Sequence, residues 1–197
     1  MTPEAIRAAL VAGDDVPDGV FDTLFPEELR SRSELHWTSL AIARRAIALL
    51  DASNVLDVGC GTGKVCLLAR LLTGRAWWGV DHEAASIEAA NHAAYVLGIR
   101  DDARFLCASA WDLDWSQFDG FYFFNPFPVL DEDPRNAFQK YGAFVAECTR
   151  AEERLARLRP GTRVVTYHGF GGDMPDGWER LARDVVGTDE LALWLRR

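Results

Sequence analysis

The chain has 197 residues, 49% of them apolar, which fits one domain with a full core. Its formal net charge is −9 and its only lysines are Lys64 and Lys140, so a nucleic-acid phosphate backbone meets repulsion with no dense basic run to offset it. No apolar run approaches the ~20 residues that span a bilayer, the start Met-Thr-Pro-Glu lacks the basic and apolar stretches of a signal peptide, and Cys60, Cys66, Cys107 and Cys148 form no C-x-x-C pair. A soluble cytoplasmic protein with reduced, buried thiols is expected.

The elements in chain order begin with a helix over about Pro3 to Val11, stopped at Gly13. Pro26 opens a second short helix over Glu27 to Arg32. Residues 1–37 therefore read as a helical N-terminal extension that caps the site. A longer helix runs from about Thr38 to Leu50, with Leu40, Ile42, Ala46, Ile47, Leu49 and Leu50 on its apolar positions. Strand and helix signals then alternate: a strand over Asn54 to Val58, a helix from Lys64 to Leu72, a strand over Ala76 to Val80 ending at Asp81, and a helix over Glu83 to Leu97 closed by Gly98. A third strand covers Arg104 to Cys107, and a nearly all-aromatic fourth covers Gly120 to Phe124. A helix over Ala137 to Leu158 ends at Pro160-Gly161, and a fifth strand covers Arg163 to Tyr167. Alternation of this kind implies a mostly parallel, doubly wound α/β sheet covered on both faces. The tail departs from it. Trp178 to Val186 and Glu190 to Arg196 flank the turn Gly187-Thr188-Asp189 and read as an antiparallel hairpin, with a helix over Trp178 to Arg183 as the alternative.

The segment with the most chemical content is Val55-Leu-Asp-Val-Gly-Cys-Gly-Thr-Gly-Lys64. An apolar strand runs into a loop with glycine at every second position, then into a helix. Strand, glycine turn and helix start make a ligand crevice at the carboxyl end of a sheet. A dinucleotide G-x-G-x-x-G counted from Gly59 puts its third glycine on Lys64, so it fails. A P-loop fails at Val58 and Val65. What remains, D-x-G-x-G-x-G over Asp57 to Gly63, resembles the first motif of the class I S-adenosylmethionine (SAM) methyltransferases.

That resemblance covers residues 38–197 and implies a SAM-binding, Rossmann-like methyltransferase fold of seven strands, with the antiparallel hairpin at its end. It implies SAM as cofactor and S-adenosylhomocysteine as product. Gly59, Cys60, Gly61 and Gly63 then cradle the cofactor, and Asp57 lies beneath its methionine portion, where a carboxylate suits a sulfonium and an amino group. Asp81 takes the ribose hydroxyls, with helix N-capping as its structural alternative. His82 lies along the adenine face. The family often holds the adenine edge with an acid just after the third strand, but this chain has Ser109-Ala110 there, followed by Trp111, Asp112 and Asp114. Backbone groups of Ala110 and the ring of Trp111 are the remaining contacts, with Trp111 as plain core the alternative.

Asn125-Pro126-Phe127-Pro128 after the fourth strand resembles the family's fourth motif, one proline short of the form that amino-group methyltransferases carry. Asn125 is the polar group expected at the acceptor and methionine side. His168, directly after the fifth strand, is the candidate general base, with Tyr167 and His36 as further candidates. Residues Ser33 to Thr38 and Val129 to Asn136 are candidate lid segments, the latter with the acidic run Asp131, Glu132, Asp133. No metal-ligand spacing links the four histidines. The implied activity is methyl transfer to nitrogen, or oxygen, of a small molecule or a protein side chain. The competing readings are a non-catalytic SAM-binding or interaction protein, a nucleic-acid methyltransferase using Arg150, Arg154, Arg157 and Arg159 as a basic strip, and, more distantly, a nicotinamide dehydrogenase.

Overall fold

The structure, a computed structural model, describes residues 1–31, 37–127, 137–186 and 189–197. Three short helices come first: α1 (Pro3–Ala12), α2 (Asp18–Phe21) and α3 (Glu27–Arg30). They are followed by α4 (Leu40–Leu50), β1 (Val55–Val58), α5 (Lys64–Thr73), β2 (Trp78–Asp81), α6 (Ala84–Val96), β3 (Arg104–Cys107), β4 (Gly120–Phe124), α7 (Ala137–Ala156), β5 (Arg163–Tyr167), β6 (Trp178–Val186) and β7 (Asp189–Arg196). The strands form one sheet in the order β3-β2-β1-β4-β5-β7-β6. The first five are parallel, and β7 runs antiparallel to both β5 and β6. The doubly wound sheet with its terminal antiparallel hairpin therefore matches the sequence reading. Trp178–Val186 is strand, not helix, because it pairs along its length with β7.

Alternate residues of each central strand feed opposite faces. Phe121 and Phe123 of β4 join Leu56, Val58, Trp115, Leu155 and Val164 under α7. Tyr122 joins Val55 and Val165 on the face covered by α4, α5 and the N-terminal helices. Burial on both faces explains why β4 reads as an unbroken aromatic run rather than an alternating one. Ile6, Leu10 and Phe21 are fully buried in this second cluster, so the N-terminal extension shares its core with the sheet.

The end of the sheet that matters most is built by β1, β2 and β4 at its centre. β2 starts at Trp78, two residues later than the sequence suggests, and α7 stops at Ala156 rather than Leu158. Among the four cysteines, all free, Cys107 corrects the expectation of burial: it is exposed, because β3 is an edge strand. No helix among the described residues is long and apolar enough to cross a membrane.

Candidate functional site

The glycine loop leaves β1 and turns back on the end of β2. Gly59 N–H and Cys60 N–H both donate to the Val80 carbonyl, at 2.9 and 3.0 Å. Gly61 N–H donates to Asp81 Oδ2 at 2.9 Å. The other Asp81 oxygen accepts from Glu83 N–H at 2.9 Å, so the same carboxylate shapes the start of α6. The structural alternative for Asp81, support of the helix start, is thus observed, and each oxygen keeps a lone pair. Gly63, with φ +72°, shows why this position excludes a side chain: an added Cβ would lie 2.3 Å from the Phe105 ring. At Gly59 it would lie 3.1 Å from the Pro126 backbone, so the loop packs directly on the Asn-Pro-Phe segment. At Gly61 it would meet nothing within 4 Å, which leaves open space above the middle of the loop.

Beneath the loop, Asp57 is only 3% exposed. Its Oδ2 accepts a hydrogen bond from the Cys66 thiol at 3.5 Å. Burial pushes its carboxyl up to about 7 despite that bond, and the charge of Asp81 adds to the rise. Burial also pushes the Cys60 and Cys66 thiols well up, which keeps them protonated and unreactive.

The first residue after the loop carries an unexpected anchor. Lys64 Nζ is 2.6 Å from Asp18 Oδ1 and 2.7 Å from Asp22 Oδ1, with its side chain 5% exposed. The rings of Phe21 and Trp37 lie 5.8 and 5.9 Å away. Asp18 Oδ1 also accepts from Leu40 N–H at 2.8 Å, at the start of α4. The N-terminal helices are thus clamped to the base of the glycine loop and to α4 through one ammonium. No spacing rule signals such a clasp, since its partners are 46 positions apart.

Above the loop lies a cavity of about 480 Å³, within the size range of small-molecule sites. One wall is Val58, Gly59, Val80, Asp81 and His82. The second is the stretch Ala108 to Trp111 after β3, and a third is Pro126 and Phe127. The last comes from α7, where Lys140, Ala143, Phe144 and Glu147 face the cavity at i, i+3, i+4 and i+7, the spacing of one helix face. Trp111 stacks on Trp115 at 5.6 Å and on Phe127 at 5.4 Å. Its Nε1–H donates to Glu147 Oε2 at 2.5 Å. The Arg150 guanidinium sits 5.0 Å over its ring, and Arg154 donates to its carbonyl at 2.9 Å.

Of the residues named from sequence, Gly59, Asp81, His82, Ala110 and Trp111 line this cavity. Asp57, Cys60, Gly61 and Gly63 form the strand end and loop beside it. Asn125 and His168 are not among its lining residues. They sit side by side at the ends of β4 and β5, after the registered pair Phe124 and Tyr167. Both adopt left-handed backbone, φ 43° and 61°, which non-glycine residues rarely do and which concentrates at functional sites. His168 Nδ1 pairs closely with Asp189 Oδ1, and its backbone N–H donates to the Glu190 carbonyl. The Tyr167 ring packs tilted against Phe124 at 4.9 Å, and burial first, then Asp189, raises its hydroxyl pKa. His36 and the lid segment Val129 to Asn136 lie outside the described residues, as does all of Ser33 to Thr38 except Trp37 and Thr38. Thr38 Oγ1 is 2.9 Å from the Tyr122 hydroxyl. Among the described residues no group of His, Cys, Asp and Glu could hold a metal.

Comparison with known proteins agrees with this geometry. Residues 55–147 match the family described as "Methyltransferase domain". Over those residues, just under half of its length, the chain carries a methyltransferase domain, and its seven-stranded sheet has the fold of the class I, SAM-dependent methyltransferases. Among solved structures similar to this methyltransferase is an RNA methyltransferase from Salinibacter ruber in complex with S-adenosyl-L-homocysteine, 18% identical, with a TM-score of 0.61 over 81% of this chain and 92% of that one. Another is an O-methyltransferase from Bacillus cereus in complex with the same product, 12% identical, with a TM-score of 0.60 over 97% of each chain. A third is the 16S rRNA methylase RmtB, 20% identical, with a TM-score of 0.55 over 99% of this chain and 74% of that one. No protein with a curated description matches by sequence. These likenesses share the fold while differing in acceptor. The site presents a glycine turn open above Gly61, an acid at the end of β2, and a partly aromatic cavity between them and α7.

Proposed function

We propose that this methyltransferase moves the methyl group of SAM to a nitrogen or oxygen of a small molecule or a protein side chain, in the cytoplasm. The observation that carries the reading is the cavity itself, where Gly59, Asp81, His82 and Ala110 converge beside a glycine loop. Residues 38–197 would hold the cofactor. Residues 1–37 would act as a clamp on the glycine loop through Lys64, since none of the described residues among them lines the cavity. When bound, SAM supplies an activated methyl on a sulfonium, so the chain's own work is positioning and exclusion of water.

The Asp81 carboxylate accepts the ribose hydroxyls while holding Gly61 in place. Asp57 stands under the loop as a carboxyl whose charge is favoured once a cation lies nearby. Asn125 and His168 mark the acceptor side, and Asp189 orients the His168 ring. A preference for nitrogen over oxygen has no support: Asn125 is not in the cavity wall, and Phe127, which would stack on a planar amine, stacks on Trp111.

A nucleic-acid acceptor is the second reading, because RNA methylases are among the structural neighbours. Charge weighs against it. The net charge is −9. Arg150 and Arg154, half of the expected basic strip, are engaged with Trp111. Transfer of labelled methyl from SAM into a panel of small amines, phenols, acids, proteins and RNA tests both. Label in small molecules or protein supports the proposal. Label in RNA that fades steeply with added salt replaces it with the second reading. Tight cofactor binding with no label in any class favours a non-catalytic SAM-binding protein.

A further inference from the structure

We infer that Glu147 reads the exocyclic amino group of the cofactor's adenine, replacing from helix α7 the acid that the loop after β3 lacks. The inference rests on the cofactor reading above. The loop itself supplies no carboxylate to the cavity. Ser109 and Ala110 stand where an acid would serve, Asp114 is occupied by Ser116, and neither Asp112 nor Asp114 lines the wall.

Glu147 does line it, alongside Ala110 and Trp111. Its position is fixed by the surrounding structure. Oε2 accepts from Trp111 Nε1 at 2.5 Å, and Trp111 is held between Trp115 and Phe127 with Arg154 on its carbonyl. One accepted bond leaves the carboxylate with further acceptor capacity and no donor of its own. A partner in the cavity must therefore bring an N–H or O–H. A flat ligand lying between the His82 side and the Ala110 backbone, with its ribose at Asp81, brings that donor as an amino group. A carboxylate already aligned by one hydrogen bond costs little further ordering to use, which makes it effective in recognition.

The test is a calorimetric comparison of S-adenosylhomocysteine with its deamino analogue, which carries purine in place of adenine. Wild type should bind the amino form about 10- to 100-fold more tightly, the range for one hydrogen bond to a charged group. In Glu147→Gln the side chain keeps an oxygen for Trp111 Nε1, so folding should persist, checked by the melting temperature. The weaker amide acceptor should shrink that preference to about threefold or less, chiefly by weakening the amino form. Two outcomes overturn the assignment: no preference in wild type, or equal weakening of both ligands by Glu147→Gln, which would make Glu147 a mere support for Trp111. Failure of wild type to bind either ligand is a different result. It removes the cofactor reading and this inference with it.

Discussion

The two sides of the cavity are built by different means. On the glycine-loop side, backbone atoms and the Asp81 carboxylate do the shaping, and the hydrogen bonds they make join residues between 59 and 83. On the Trp111 side, side chains from the β3 loop, the β4 loop and α7 do it, and the Trp111–Glu147 partners are 36 positions apart. Backbone geometry demands particular residues at particular spacings, above all glycine with positive φ, so it leaves a legible signature. Side-chain packing admits many solutions and leaves almost none.

If that contrast holds, substitutions of the buried charges beneath the loop should act mainly on stability and those on the aromatic side mainly on binding. The largest effect is expected at Lys64→Met. It leaves Asp22 buried without its cation, and burial already raises the Asp22 carboxyl against the pull of Lys64. Breaking a buried pair in this way costs about 3–5 kcal/mol, toward the lower end here because Asp18 is partly exposed. Urea unfolding measures it, and a loss under about 1 kcal/mol would break the view that the N-terminal segment is clamped through this residue.

Next comes Asp57→Asn, where the effect depends on pH. Burial lifts the folded carboxyl from 3.8 to about 7, so the folded chain holds this proton more tightly than the unfolded chain. The stabilisation is complete below the unfolded value and is lost as pH rises toward and through 7. Wild type should lose about 2–3 kcal/mol between pH 5 and pH 8 that the Asn variant keeps, at roughly 1.4 kcal/mol per unit. Parallel stability profiles for the two proteins would contradict the buried-carboxyl account. The smallest stability effect belongs to the other side: Trp111→Phe keeps the ring stack and deletes the Nε1–H bond to Glu147. It should cost about 1 kcal/mol of stability while loosening the cavity wall enough to weaken S-adenosylhomocysteine binding severalfold, read by calorimetry. A stability loss as large as that of Lys64→Met, or unchanged affinity, would erase the contrast between the two sides.

The same contrast explains what could be read from sequence. Gly59, Gly61 and Gly63 after an apolar strand, and Asp81 at the end of the next, placed the crevice because each answers a backbone requirement. The strands Gly120–Phe124 and Arg163–Tyr167 were legible because burial on both faces makes them short apolar runs between turns. Helix α2 was not, since four residues carry no period, and it is held by Asp18 and Phe21 meeting Lys64 from far along the chain. Lys140, Ala143, Phe144 and Glu147 were visible only as part of a long helix, and its residues alone do not tell that the fold turns one stripe onto the cavity. Arg150 and Arg154, considered as part of a basic strip, instead engage Trp111, a partner far away in sequence. Cys107 was misjudged because an apolar neighbourhood in sequence says nothing about a strand's place at the sheet edge.

The central claim is that the glycine loop and Asp81 form a SAM site. Its most direct test is calorimetric titration with S-adenosylhomocysteine, with NADH and ATP as controls, in wild type and in Asp81→Ala. Selective binding near one equivalent, weakened about 10- to 100-fold in the variant, is the predicted result. Absence of binding to the folded chain, equal binding of the controls, or full affinity in Asp81→Ala would contradict it.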